Sequence, residues 1–273
     1  MIQSRILIVG CGKMGTALVN GWLNDGLGIE NLKIIEIGDH DNIKKNLNNA
    51  EVSIYSNISE LSEFFSPDII VFAIKPQIAH NLLPLFARYT KTQKLFLSIM
   101  GGLTTSLLKN FLGEKAKVVR AMPNTPSAIG KGVSVIFAGA DISNSDKKMC
   151  KDLLETVGSC EWIASEESID AVTALSGSGP AYVFYLSEAM AEAGVELGLS
   201  HELSDRLARL TIDGSGSLLT QKNISAADLR ENVTSKGGTT EAALKVLGEN
   251  NVFKKLIKNA IRKAQERSIE LGR

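Results

Sequence analysis

Ile6-Leu-Ile-Val-Gly10-Cys-Gly12-Lys-Met-Gly15 sets the architecture of the chain: a short apolar strand runs into a GxGxxG turn that opens a helix over Met14–Asn24. Gly10 permits the tight turn, Gly12 lets backbone approach a pyrophosphate, and Gly15 allows close packing of helix on strand. The helix N-terminus then offers N–H groups and positive dipole to phosphate oxygens. Such glycines carry little weight alone. With a strand before and a helix after, Gly10, Cys11, Gly12, Lys13, Met14 and Gly15 read as a dinucleotide-binding loop. Cys11 is small enough for that loop, and packing explains it better than reactivity.

Further along, short β-branched runs alternate with helical patterns, the layout of a parallel sheet covered by helices. The runs are Arg5–Val9, Lys33–Ile37, Glu51–Tyr55, Asp68–Ala73, Lys94–Ile99, Lys117–Ala121, Val133–Ala138 and Ser159–Trp162. Helices are expected between the early ones at Met14–Asn24, Asn42–Asn49, Ile58–Phe65 and Gln77–Tyr89. From Ser165 onward the apolar spacing becomes helical, as in Ala181, Phe184, Tyr185 and Ala189, or Leu203, Leu207 and Leu210. Ala242–Leu247 and Val252–Leu271 continue in the same way. The predicted fold is therefore α/β: a Rossmann-type, doubly wound, mostly parallel sheet over 1–164, then an all-α region over 165–273. These helices are too apolar on too many sides for 109 residues alone, which predicts an oligomer interface.

Composition narrows the class. The chain has 273 residues with 30 Lys plus Arg against 30 Asp plus Glu, so no global field draws it to nucleic acid or an anionic membrane. Asn251–Arg273 is locally basic, which reads as the solvated face of an amphipathic helix. Three cysteines without CxxC spacing argue against a disulfide framework and a zinc site. The three histidines stand in no metal-ligand or triad spacing, so no metal is expected. The opening residues lack a signal-peptide layout and no apolar run reaches membrane-span length, which predicts a cytoplasmic, soluble chain.

Six further stretches carry chemistry. Glu36, with Asp39 and Asp41 behind it, stands where an acidic group accepts hydrogen bonds from a ribose 2′-OH. A 2′-phosphate would want arginine, and none occurs between Arg5 and Arg88. This leans toward NADH; a solvated strand end with a helix cap explains the same residues. Ala73-Ile74-Lys75-Pro76-Gln77 and Ser98-Ile-Met-Gly-Gly102 lie at strand carboxyl ends, where ligands bind in such sheets. Lys75 points either to phosphate or substrate carboxylate, or to solvent. Arg120-Ala-Met-Pro-Asn-Thr-Pro126 is a rigid loop, suited to a pocket wall or to supporting the sheet edge. In the helical region, Leu175-Ser-Gly-Ser-Gly-Pro180-Ala-Tyr182 interrupts a helix, and Val233-Thr-Ser-Lys-Gly-Gly-Thr-Thr-Glu241 precedes one. The latter suits a carboxylate held at a helix N-terminus, with a helix cap as the plainer alternative.

In order and spacing, Gly10–Gly15, Ala73–Gln77, Arg120–Pro126, Ala174–Tyr182 and Thr234–Thr240 resemble the pyrroline-5-carboxylate reductases. The resemblance implies hydride transfer from NADPH or NADH to the C5 carbon of 1-pyrroline-5-carboxylate, giving L-proline as the last step of proline synthesis. It also implies a homodimer, or a decamer of dimers. On these residues it places the substrate at Ser235, Gly237, Gly238, Thr239 and Thr240, with Thr240 as the catalytic hydroxyl on the ring nitrogen. It places the cofactor at Gly10, Gly12, Lys13, Met14, Gly15, Asn57, Ala73, Lys75 and Pro76, to which the residue patterns above add Cys11, Glu36, Ile74 and Ser98. Two residues depart from the pattern: Lys236 stands where proline is usual, and Met100 where alanine is usual. Competing readings are a reductase of another cyclic imine, a 3-hydroxyacid dehydrogenase, or a dinucleotide-binding regulator without turnover.

Overall fold

The computed structural model describes residues 4–38, 40–49, 51–221 and 224–272. Strands β1 (Ile6–Val9), β2 (Leu32–Ile35), β3 (Ser53–Tyr55), β4 (Ile69–Phe72), β5 (Leu95–Ser98), β6 (Lys117–Met122), β7 (Gly132–Ala138) and β8 (Gly158–Trp162) form one sheet. Its order is β3-β2-β1-β4-β5-β6-β7-β8. All neighbours are parallel except β6 and β7. The strand order reverses between β1 and β4, which makes their carboxyl ends the switch point of a doubly wound sheet.

Alternation along the buried strands divides the core in two. Ile6, Ile8, Ile69, Val71 and Leu97 face one layer, which α1 (Lys13–Asn24) enters with Leu18, Val19 and Trp22. Leu7, Val9, Ile70, Phe72 and Phe96 face the other layer, with Phe86 and Leu108. Period-two side-chain geometry accounts for this split. Trp22 is fully buried, and its indole N–H donates to the Leu153 carbonyl at 2.9 Å. That bond ties α1 to α6 (Asn144–Glu155).

The expected helices are borne out unevenly. Asn42–Asn49 corresponds to α2 (His40–Asn46). Ile58–Phe65 is not an α-helix; only a 3₁₀ turn, Ile58–Glu60, forms there. Asn57 caps that turn, its side chain accepting from the Ser59 N–H. Gln77–Tyr89 is four short pieces: 3₁₀ Pro76–Ile78, α3 (Ala79–Leu82), 3₁₀ Leu83–Phe86 and α4 (Arg88–Lys91). Pro84 lacks the N–H that a continuous helix would use. As expected, the stretch around Leu175 interrupts the α-helix, which restarts at Gly179 with Pro180 in its first turn. The interruption is a π-helical turn, Thr173–Gly177, between α7 (Ser168–Val172) and α8 (Gly179–Glu196). After β5 lies α5 (Thr105–Leu112), capped by the Thr104 hydroxyl.

Two compact units emerge from the contacts: residues 1–177 with 264–273, and residues 178–263. The second contains α8, α9 (His201–Gln221), α10 (Ala226–Asn232), α11 (Thr239–Gly248) and most of α12 (Val252–Leu271). Among its described residues only Ser204 and Ala208 are buried, whereas Phe184 is 65%, Tyr185 72% and Leu197 86% exposed. A unit with so small a core cannot offset the entropy of ordering its own chain, so its apolar surface is built to be covered. No described helix is long and apolar enough to cross a membrane.

Just past β8, Glu166 joins three elements of the first unit. It accepts from the Thr105 N–H at 2.6 Å, the Thr105 hydroxyl at 2.7 Å and Nη1 of buried Arg120 on β6 at 2.6 Å. Burial pushes the Glu166 carboxyl upward, but the bonds from Thr105 and Arg120 outweigh it and hold the group below its ordinary value. A depressed carboxyl stabilises fully above its unfolded value and loses that contribution as pH falls through the folded value. Glu166→Gln is therefore expected to lose about 2 kcal/mol in denaturant unfolding at pH 7, with the deficit shrinking below about pH 4. A deficit independent of pH would contradict a charged role for Glu166.

Candidate dinucleotide and substrate loops

Ladder hydrogen bonds set four carboxyl-terminal turns side by side. Gly10 N–H donates to the Ile35 carbonyl at 2.8 Å, Ala73 N–H to Val9 at 2.8 Å, and Ile99 N–H to Phe72 at 3.1 Å. The turns that follow β1, β2, β4 and β5 thus form one row at the switch point. Gly10, Glu36, Ala73, Ile74 and Ser98 meet there, with Lys75 and Pro76 opening the adjoining 3₁₀ turn.

Gly10 has φ +94°, and a Cβ placed on it would lie 2.6 Å from the Ala73 carbonyl oxygen. A Cβ on Gly15 would collide with the Gly10 carbonyl oxygen. Gly12 differs, since a Cβ there meets nothing within 4 Å. It is the N-cap of α1, and no side chain caps that helix. By contrast α5, α6 and α10 are capped by Thr104, Ser143 and Ser225. An uncapped N-terminus beside open space fits a phosphate group. Lys13 is exposed and Met14 half-buried next to it.

Glu36 is half-buried, and its carboxylate accepts from Cys11 N–H at 2.7 Å and from Gly38 N–H at 3.0 Å. The acidic group thus sits directly against the glycine loop. Asp39 lies outside the described residues. Cys11 is buried, and desolvation pushes its thiol up to about 11 despite the hydrogen bond with Thr16, so it stays a neutral packing residue. Asn57 is occupied: its Oδ1 accepts from Ser59 N–H at 2.8 Å and its Nδ2 donates to Glu60 at 2.9 Å. Buried Ser98 accepts from Met100 N–H at 3.3 Å, so its hydroxyl shapes the turn after β5. Met100 itself is buried in the core layer of Phe72 and Phe96. Lys75 is exposed.

The loop Arg120–Pro126 leaves the interior strand β6 and ties it to its neighbours. Asn124 donates to the Ser176 carbonyl at 3.0 Å and accepts from Val133 N–H at 2.9 Å, so both ends of its amide are spent.

In the helical unit, Ser235, Lys236, Gly237, Gly238, Thr239 and Thr240 form a turn into α11. Gly237 has φ +75°, and Gly238 N–H donates to the Ser235 carbonyl at 3.0 Å. Gly238 is the N-cap of α11, again without a side-chain cap. The glycine-started helices α1 and α11 begin at the two loops singled out in the sequence. Sequence reading missed Glu241, whose carboxylate accepts from Gly237 N–H at 2.8 Å. Its signal was an acidic residue three positions past a glycine N-cap.

Fold and loops define a dinucleotide-dependent oxidoreductase of the Rossmann type with a helical C-terminal region. Comparison with known proteins agrees. A family model described as pyrroline-5-carboxylate reductase dimerisation matches residues 166–271, and one described as NADP oxidoreductase, coenzyme F420-dependent, matches residues 5–102. A pyrroline-5-carboxylate reductase of Pseudomonas aeruginosa is 36% identical over 272 residues, covering 100% of this chain and 98% of its own. Among solved structures, the Coxiella burnetii pyrroline-5-carboxylate reductase superposes with TM-score 0.90 at 32% identity, covering 100% of both chains. The Plasmodium falciparum pyrroline carboxylate reductase, solved with NADP bound, gives 0.85 at 35% identity over 99% of this chain and 98% of its own. The chain belongs to the pyrroline-5-carboxylate reductase family.

The loop geometry separates two glycines by experiment. Gly12→Ala is expected to unfold like the parent protein yet lose about tenfold in NADH affinity, because its methyl enters the space beside the α1 N-terminus. Gly15→Ala is expected to lower the melting temperature and the affinity together. Fluorescence titration with NADH alongside thermal unfolding checks both; unchanged NADH affinity in Gly12→Ala would contradict the assignment.

Proposed function

We propose that the chain reduces 1-pyrroline-5-carboxylate to L-proline, with NADH preferred over NADPH, and that residues 1–164 serve the dinucleotide while 165–273 serve substrate and dimerisation. The observation that carries the reading is the pair of glycine N-caps, each opening a helix without a side-chain cap.

The bound dinucleotide supplies the hydride that adds to the C5 carbon of the imine. For its pyrophosphate, the chain offers Gly10, Cys11, Gly12, Lys13, Met14 and Gly15 at the start of α1. Ala73, Ile74, Lys75, Pro76 and Ser98 border the same row of strand ends, and Asn57 shapes the turn after β3. On the substrate side, Thr239 and Thr240 offer the first N–H groups of α11 to the carboxylate. Ser235, Gly237 and Gly238 set the path of that loop. The Thr240 hydroxyl donates to the ring nitrogen, orients the imine and assists its protonation. No strong base is needed, because the substrate is already electrophilic.

Cofactor preference rests on Glu36. With its carboxylate fixed on Cys11 and Gly38 amides, a negative charge stands where a 2′-phosphate would approach, whereas a 2′-OH can donate to it. The Plasmodium falciparum relative was solved with NADP bound, so the preference proposed here is specific to this strand end. Lys44 and Lys45 lie in the last turn of α2, further along the chain.

Exposed apolar side chains on α8 and α9 support a homodimer as the working form, with a decamer of dimers as the larger assembly. Cytoplasmic residence completes the proposal.

Steady-state oxidation of each cofactor in the presence of the imine substrate tests this reading. The expected kcat/KM is about tenfold higher with NADH than with NADPH, the effect of one unfavourable like-charge contact. A preference for NADPH would overturn the role of Glu36. Intact dinucleotide binding without turnover would overturn the enzymatic reading.

A further inference from the structure

We infer that Glu241 is a positioning residue for the substrate loop: its carboxylate takes the N–H of Gly237, holds the loop in shape and leaves the Thr239 and Thr240 amides for the substrate. The inference rests on the assignment of Ser235–Thr240 to the substrate.

The loop has little stiffness of its own. Lys236 carries no ring to fix its backbone, and two glycines follow it. Gly237 adopts φ +75°, one of many conformations open to glycine, so ordering it is entropically costly. A restraint must come from outside the loop. Glu241 sits in the first turn of α11, three residues after the N-cap Gly238. In a capping box, a residue at that position reaches back to the N-cap amide, as Asp228 does toward Ser225 in α10. Here the Gly238 amide is already engaged by the Ser235 carbonyl. The Glu241 carboxylate reaches one residue further, to Gly237 at 2.8 Å. Lys245, one turn along, holds the same carboxylate oxygen at 3.8 Å.

This arrangement divides the amides between two acceptors. Gly237 donates inward to Glu241, so it sets loop geometry and does not bind substrate directly. Thr239 and Thr240 retain the helix N-terminal positions suited to an external carboxylate. The negative charge of Glu241 also acts against an anionic substrate. That repulsion is screened by solvent and by Lys245, whereas a charge-assisted hydrogen bond of good length is comparatively strong. Loop order outweighs repulsion.

Three proteins decide the matter: the parent, Glu241→Met, which keeps length and helix propensity but removes the acceptor, and Glu241→Gln, which keeps an acceptor oxygen without charge. Steady-state assays with pyrroline-5-carboxylate and NADH give kcat, the imine KM and the NADH KM for each, with a thermal melt as control. The expected result is an imine KM raised about five- to tenfold in Glu241→Met, with kcat and the NADH KM within about twofold of the parent. Glu241→Gln should stay within about twofold of the parent throughout. An unchanged or lowered imine KM in Glu241→Met overturns the inference, as does a Gln variant as impaired as the Met variant. If Glu241→Met does not fold, the Gln variant decides alone, and an imine KM raised about fivefold there overturns it. A parent protein that does not turn over pyrroline-5-carboxylate overturns the substrate assignment itself, and this inference with it.

Discussion

Everything in the first unit depends on a close approach that excludes a single carbon atom. Gly10 passes against the Ala73 carbonyl, and Gly15 against the Gly10 carbonyl, with no room for a Cβ at either. That contact seats α1 on the ends of β1 and β4, the point where strand order reverses. Were either glycine replaced, the turn would open and the α1 N-terminus would leave the row of strand ends. Gly12, two residues away, has the opposite surroundings. The chain is tight where packing requires it and open where a ligand needs space.

A second theme is the use of glycine to begin a helix. Ser and Thr caps satisfy the first amides of a helix with the chain's own oxygen, as Ser143 does for Asp146 in α6. Gly12 and Gly238 supply no such oxygen, so α1 and α11 keep donors for an acidic ligand. One helix belongs to each compact unit, and the two ligands are both anions: a pyrophosphate and an amino-acid carboxylate. In the proposed reading the same backbone chemistry serves cofactor and substrate, and the side chains required of the chain are few. In the proposed mechanism, Thr240 adds the hydroxyl that the reaction itself uses.

Much of this was legible in the sequence because the relevant signals are local. All eight strands lie where β-branched runs predicted them, with ends shifted by one or two residues. The glycine loop and the loop at Ser235 announce themselves by composition. Failures occurred where a local pattern met a constraint it does not encode. Pro84 cut an apparently regular helix into short pieces. Spacing also does not reveal that Asn124 bonds to Val133 and Ser176, or Asn57 to Ser59 and Glu60. Glu241 and Glu166 stayed hidden because a carboxylate's partner depends on a fold or turn that spacing alone does not reveal.

Alignment of a cyclic imine by the hydroxyl at the start of α11 is the central chemical claim, and Thr240→Val tests it most directly. The substitution keeps the shape of the side chain and removes only its hydrogen-bonding oxygen. With both substrates saturating, kcat should fall about a hundredfold while NADH affinity is unchanged. A variant that retains the parent kcat would contradict the claim.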